Sequence, residues 1–138
     1  MSWEIEQELK NIRSAERGYY SYPFGTRRTM VVCYANTYEV AMSNLGFQIV
    51  YDIVNKRNDW QCERAFLPDG KLADLYEKSN TPLLTVENAR PVRDFEVVGI
   101  SVNFEMDYFH IPLMLRHGRV PVMSEDRTGF DPIVIAGG

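Results

Sequence analysis

Three runs of β-branched and apolar residues punctuate the chain: Thr29 to Tyr34, Phe95 to Val102 and Ile133 to Ala136. Each is short, nearly uninterrupted and bounded by polar or turn residues, the composition of a strand buried on both faces of a parallel sheet. Between them the period changes. From Tyr38 onward the apolar positions Met42, Leu45, Ile49, Val50 and Ile53 recur at three- and four-residue spacings, which predicts a helix entered directly from the first strand through Ala35-Asn36-Thr37. Trp60 to Leu67 alternates and ends at the turn signal Pro68-Asp69-Gly70, so it reads as a further strand. Lys71 to Lys78 predicts a short helix with Leu72 and Leu75 inward, and Thr81 to Val86 an extended piece with Pro82 at its start, where a lost donor does least harm. Asn103-Phe104-Glu105 opens another helix that runs through Leu115 to a stop at Gly118, with Pro112 interrupting it or marking its second segment. Val120 to Met123 reads as a short strand and Ser124 to Pro132 as a polar loop. Ahead of the first strand, Ser2 to Arg13 places Trp3, Ile5, Leu9 and Ile12 at helical spacings, and a Tyr- and Gly-containing linker follows from Gly18 to Gly25.

Strands alternating with helical patterns predict an α/β fold: a doubly wound, Rossmann-like or flavodoxin-like, mainly parallel sheet with an N-terminal helical appendage. The appendage and linker occupy residues 1–27 and the α/β domain residues 28–138. A buried parallel strand ordinarily continues into a covering helix. Here the last strand runs into Gly137-Gly138, so the domain is expected to be truncated at its C-terminal end.

Composition narrows the function classes. A chain of 138 residues is long enough to bury a sizeable core. Its net charge is −4, and the one basic concentration is Arg13, Arg17, Arg27 and Arg28, which is too little to neutralise a phosphate backbone, so no nucleic acid is expected as a partner. No run approaches the length of a bilayer span, and Met1 to Lys10 alternates acid with apolar residues where a leader would be basic and then hydrophobic. No membrane association and a cytoplasmic location are therefore expected. Cys33 and Cys62 each lie in an apolar or strand-like context and read as buried thiols. His110 and His117, seven residues apart on one helical pattern, read as surface or core-edge residues.

In open α/β sheets the loops at the carboxyl ends of the strands line the ligand crevice, which places Asn36, Thr37, Tyr38 and Glu39 where such folds bind. Asn36 or Thr37 also suits the capping position of the following helix. Glu39 and Glu105 each follow a core strand by a few residues. They either face one cleft as a carboxylate pair or sit in first helical turns, where the helix dipole favours negative charge. Neither G-x-G-x-x-G nor G-K-S/T follows the first strand, so a self-sufficient nucleotide or phosphoryl-transfer protein is disfavoured.

Five segments fit one known arrangement: Y-E-V-A-M-S-N-L-G-F-Q-I-V-Y-D-I-V-N at Tyr38 to Asn55, C-E-R-A-F-L-P-D at Cys62 to Asp69, P-L-L-T-V-E-N at Pro82 to Asn88, V-G-I-S-V-N-F-E at Val98 to Glu105 and P-I-V-I-A-G-G at Pro132 to Gly138. The chain, roughly from Arg28 to Gly138, resembles the N-terminal cobalamin-binding-type domain of a family of radical S-adenosylmethionine (SAM) proteins. The resemblance implies a downstream radical SAM barrel domain as partner, with a 4Fe-4S cluster and SAM in the full-length protein. The C-x-x-x-C-x-x-C that would hold such a cluster does not occur here, so catalysis would belong to the barrel and none to this chain alone. Cobalamin domains carry D-x-H-x-x-G, S-x-L and G-G at successive strand ends. By that resemblance the cofactor-binding positions here are Asn36, Thr37, Tyr38 and Glu39 at the first, Ser101 and Asn103 at the second, and Gly137 and Gly138 at the third. Tyr38 replaces the histidine ligand, and a phenol titrating near pH 10 is a poor substitute. Cobalamin is therefore expected without a histidine lower ligand. The alternative is a structural or interaction module that has lost cobalamin, for which exposed Phe104, Tyr108, Phe109 and the Tyr19, Tyr20, Tyr22 cluster would speak. At helical spacing Phe104 and Tyr108 are otherwise core residues.

Overall fold

The computed structural model describes residues 2–138, and Met1 lies outside the described residues. Helix α1 spans Ser2–Ser14, strand β1 Arg28–Tyr34, helices α2 and α3 Tyr38–Met42 and Leu45–Asn55, and strand β2 Trp60–Phe66. Helix α4 spans Gly70–Ser79, strand β3 Val97–Ser101, helix α5 His110–His117 and strand β4 Ile133–Gly137. Among the described residues the strands form one all-parallel sheet in the order β2-β1-β3-β4. This is the α/β architecture expected from the β-branched runs.

Topology dictates where the sheet is covered. The β1–β2 connection runs one way across the sheet, and the β2–β3 and β3–β4 connections run the other way. Right-handed crossovers then put α3 on one face and the two later connections on the opposite face. Val31, Cys33, Val98 and Ile100 on that opposite face are buried together with Leu83, Val92, Met114 and Leu115. The α3 face is covered over β1 and β2 only: Phe47 packs edge-on against Tyr34 and lies against Phe66, with ring centroids 5.4 and 5.6 Å apart. Over β3 and β4 that face stays open, leaving Ile133 and Ile135 exposed.

The outer edge of β2 is closed by side chains and by a neighbouring turn. Asn55 pairs with both backbone groups of Cys62, donating to its carbonyl at 3.0 Å and accepting its N–H at 2.8 Å. The Arg64 N–H donates to Glu87 at 2.8 Å, and the Arg64 carbonyl accepts from Val86 N–H at 2.9 Å. A strand edge satisfied in this way cannot recruit another strand. Helix α1 packs against α4, and its Ile5 and Leu9 enter the core, so this helix lies outside the sheet but is firmly seated.

Three segments differ from the sequence expectation. The helix after β1 breaks at Ser43-Asn44, because the Asn44 side chain accepts the Phe47 N–H at 2.8 Å and starts a new helix there. The face of α3 that packs carries Phe47, Tyr51 and Asn55, while Leu45 and Ile53 are 71% and 59% exposed. Glu105 to Phe109 forms a 3-10 turn ahead of α5, and Pro112 falls in the first turn of α5, where no donor is needed. Val120 to Met123 is not a strand. The Arg127 guanidinium takes the carbonyls of Pro121 and Val122, each at 2.8 Å, and Val120 N–H closes the end of α5 onto Leu115. The helix stop is shared: Gly118 caps α5 in a right-handed conformation, and Arg119 adopts the left-handed one with φ 60°.

Candidate functional site

At the carboxyl end of the sheet, β1 and β3 are locked by Ala35 N–H donating to Ser101 at 3.1 Å, and β3 and β4 by Val102 N–H donating to Gly137 at 2.9 Å. Asn103 folds back, its amide donating to the Tyr34 hydroxyl at 3.1 Å and to the Ser101 hydroxyl at 3.3 Å. These bonds gather Ser101, Asn103, Gly137 and Gly138 around one end of a cleft of about 440 Å³ on the uncovered part of the α3 face. Asn44, Gly46, Phe47 and Val50 form one wall, and Met30, Val32 and Ile135 are among the residues of the floor.

Glycines shape this cleft. A Cβ on Gly99 would lie 2.6 Å from the Met30 methyl group, so glycine here lets Met30 lie across the floor. A Cβ on Gly137 would meet nothing within 4 Å, which means its absent side chain leaves open space above the strand. The wall of α3 presents the first turn of an eleven-residue helix, where unpaired backbone N–H groups give a partial positive charge.

The four other residues expected at the site lie elsewhere on the rim with tasks of their own. The Asn36 amide donates to Asp107 at 3.0 Å, and its oxygen accepts Thr37 N–H at 2.8 Å. Thr37 occupies the N-cap of α2 without a side-chain cap bond. Tyr38 packs edge-on against Phe66 at 5.1 Å and donates its hydroxyl to Glu16. Burial and that bond push the Tyr38 phenol up from its ordinary pKa. Glu39 is exposed in the first turn of α2 and Glu105 is exposed in the 3-10 turn, so the two do not form a carboxylate pair in the cleft. Four of the eight expected residues therefore converge. Asn44, Gly46, Phe47, Gly99 and Asp107 were not anticipated.

Beside the rim, across β1, lies a buried ionic cluster. Arg64 bonds Glu87 at 2.5 Å and both oxygens of Glu16 at 2.7 and 2.9 Å, and its guanidinium sits 4.7 Å from the Tyr51 ring centre. Burial works against the Arg64 charge, and the Glu87 and Glu16 carboxylates outweigh it, so the guanidinium stays charged. Burial lifts the Glu87 carboxyl above the ordinary range against the pull of Arg64. Two carboxylates consume this cation, leaving it nothing to offer an anionic ligand. Cys33 and Cys62 are free, buried thiols, as expected, and burial pushes Cys33 up to about 12. Among the described residues no cluster of His, Cys, Asp and Glu could hold a metal ion, and no helix is long and apolar enough to cross a membrane.

The family model for radical SAM proteins, N-terminal, matches residues 46–138. The chain belongs to this family. The match takes in α3 from Gly46 onward, the rest of the sheet after β1 and most of the cleft lining. No curated protein matched the chain, and no solved structure did.

Proposed function

We propose that this accessory domain of a radical SAM protein holds cobalamin in the cleft beside β3 and β4, and that the 4Fe-4S cluster, SAM and catalysis belong to a downstream barrel domain. The observation that carries this reading is the convergence of Ser101, Asn103, Gly137 and Gly138 on an open cleft at the carboxyl end of the parallel sheet. Ligands of open α/β sheets bind at that end.

The donor set suits such a ligand. Cobalamin is large, amide-decorated and carries a flat heteroaromatic base and a phosphodiester. Ser101, Asn103 and Asn44 offer hydroxyl and amide partners, the apolar floor suits a flat ring, and the first turn of α3 favours negative charge. The space over Gly137 would be lost to any side chain there. Bound cobalamin would supply the radical and group-transfer chemistry of its cobalt. The chain's own residues would bind the ligand, orient it and exclude water from the apolar floor.

A second reading, a purely structural interaction module, draws on the exposed apolar surface: Phe104, just ahead of the 3-10 turn, and Tyr108 and Phe109 on it are 61%, 64% and 72% exposed, not core. Such patches mark surfaces that meet other surfaces. Titrating the protein with hydroxocobalamin, followed by visible absorbance and by retention on a desalting column, separates the two. The cobalamin reading predicts saturable retention with a shifted spectrum. Retention of none, by protein with an intact circular dichroism spectrum, would leave the interaction module.

A further inference from the structure

We propose that the exposed apolar row running from the 3-10 turn into α5 is an interface between two copies of this chain, packed antiparallel about a two-fold axis. None of its residues lines the cleft, so the pairing stands or falls independently of the cobalamin reading.

Met106, Phe109 and Leu113 are 68%, 72% and 51% exposed, and Arg116 is exposed in the last turn of α5. Their spacing of three, four and three residues puts them on one side of the segment. A 3-10 turn stacks positions three apart, and Phe109 already has helical backbone angles, φ −69° and ψ −20°, where α5 begins. Phe104 and Tyr108 flank the row. The other side of the segment is pinned. His110 donates through Nδ1 to the Ala35 carbonyl at 2.6 Å, buried Asp107 accepts the Asn36 amide at 3.0 Å and the Phe104 N–H at 3.2 Å, and Met114 and Leu115 enter the core. The row is therefore held rigid while exposed, so a partner meets it with little ordering left to do.

The row is complementary to itself. Glu105 is exposed at one end and Arg116 at the other, and neither forms an ion pair with a described residue. Each charge also suits its own helix end, but that leaves the apolar row between them unexplained. With the axis opposite Ile111 and the two segments antiparallel, Phe109 falls against Leu113 of the second copy and Met106 against the aliphatic stem of its Arg116, whose guanidinium then reaches Glu105. A parallel arrangement would set Glu105 against Glu105 and Arg116 against Arg116, so charge complementarity fixes the direction. The area is adequate as well. An aromatic side chain buries about 150–250 Å² when covered, so Phe104, Tyr108 and Phe109 at their present exposure offer roughly 300–500 Å² per copy, about half of what each partner gives to a standard interface. Met106, Leu113 and the Arg116 stem add to it.

Sedimentation equilibrium of the protein over a range of concentrations tests the pairing. Wild type should pass from monomer to dimer as concentration rises. Leu113→Lys, which keeps a good helix former at an exposed position, should weaken the dimer. Glu105→Arg and Arg116→Glu should each raise its dissociation constant about tenfold to a hundredfold by setting like charges together. Mixing those two variants restores opposite charges at both ends, so the mixture should form a heterodimer as tight as the wild-type dimer. Circular dichroism checks that each variant is folded, and hydroxocobalamin retention should be the same for all of them as for wild type. A wild type that stays monomeric throughout would overturn the proposal and leave the row to a different partner. A dimer indifferent to all three substitutions would place the interface elsewhere, and charge variants that stay apart on mixing would refute the antiparallel pairing.

Discussion

Replacing Arg64 by Met should cost about 3–5 kcal/mol of folding stability, the usual penalty for removing one partner of a buried ion pair. The cost arises because Glu16 and Glu87 would both lose their cation while staying buried, and the cation–π contact with Tyr51 would vanish as well. Its sign with pH identifies the cause. A buried carboxyl whose folded pKa lies above its unfolded one is penalised once pH rises through the unfolded value near 4.5, and not below it. The destabilisation of Arg64→Met should therefore shrink as pH falls toward 4.5. Adding Glu16→Gln and Glu87→Gln should recover part of it at pH 7. Urea unfolding at pH 7 and pH 5 gives the comparison. A penalty that is small or independent of pH would show that the cluster is not what fastens the N-terminal linker and the 85–90 turn to β2.

That cluster also reaches the first strand end, through the bond of Tyr38 to Glu16. Asn36 to Glu39 follow the carboxyl end of β1, where an α/β crevice is expected. Their side chains, however, answer to residues far along the chain: Asn36 to Asp107, and Tyr38 to Glu16. Nothing local in the sequence announces those pairings. The strands were legible because a β-branched apolar run demands burial wherever it falls, and Ser101, Asn103, Gly137 and Gly138 were singled out by their resemblance to cobalamin-domain motifs at strand ends, which a parallel sheet gathers at one edge. Asn44 was hidden inside a periodic pattern, since its capping bond to Phe47 interrupts the helix without interrupting the spacing of apolar residues. The same periodicity pointed Leu45, Ile49 and Ile53 inward, yet the core takes Phe47 and Tyr51, the larger aromatic surface. His110 carries no motif around it, and only the fold brings its ring to the Ala35 carbonyl.

Gly137→Val should weaken cobalamin binding by about tenfold to a hundredfold, corresponding to about 1–3 kcal/mol of overpacking. Gly137 lies in β4 on the same face as Ile133 and Ile135, and a side chain there would project into the cleft without touching any protein atom within 4 Å at its Cβ. Folding stability should be unchanged or slightly raised, because valine suits a strand better than glycine does. Tyr38→Phe makes the opposite pair of changes: it removes the bond to Glu16 and costs about 1 kcal/mol of stability, and it leaves cobalamin affinity as it was. Parallel thermal melts and absorbance titrations on the two variants read both quantities. Weakened binding in Tyr38→Phe with full binding in Gly137→Val would relocate the site to the first strand end.

Hydrogen–deuterium exchange of the intact protein, with and without cobalamin, measures where the ligand lies. The account predicts slower exchange on adding cobalamin in three places: the first turn of α3 at Leu45 and Gly46, the segment from Ser101 to Asn103, and Ala136 to Gly138. The exposed linker around Tyr19 and the α2 turn at Glu39 should be unaffected. Binding without protection at those three segments, or protection confined to other parts of the chain, would contradict it.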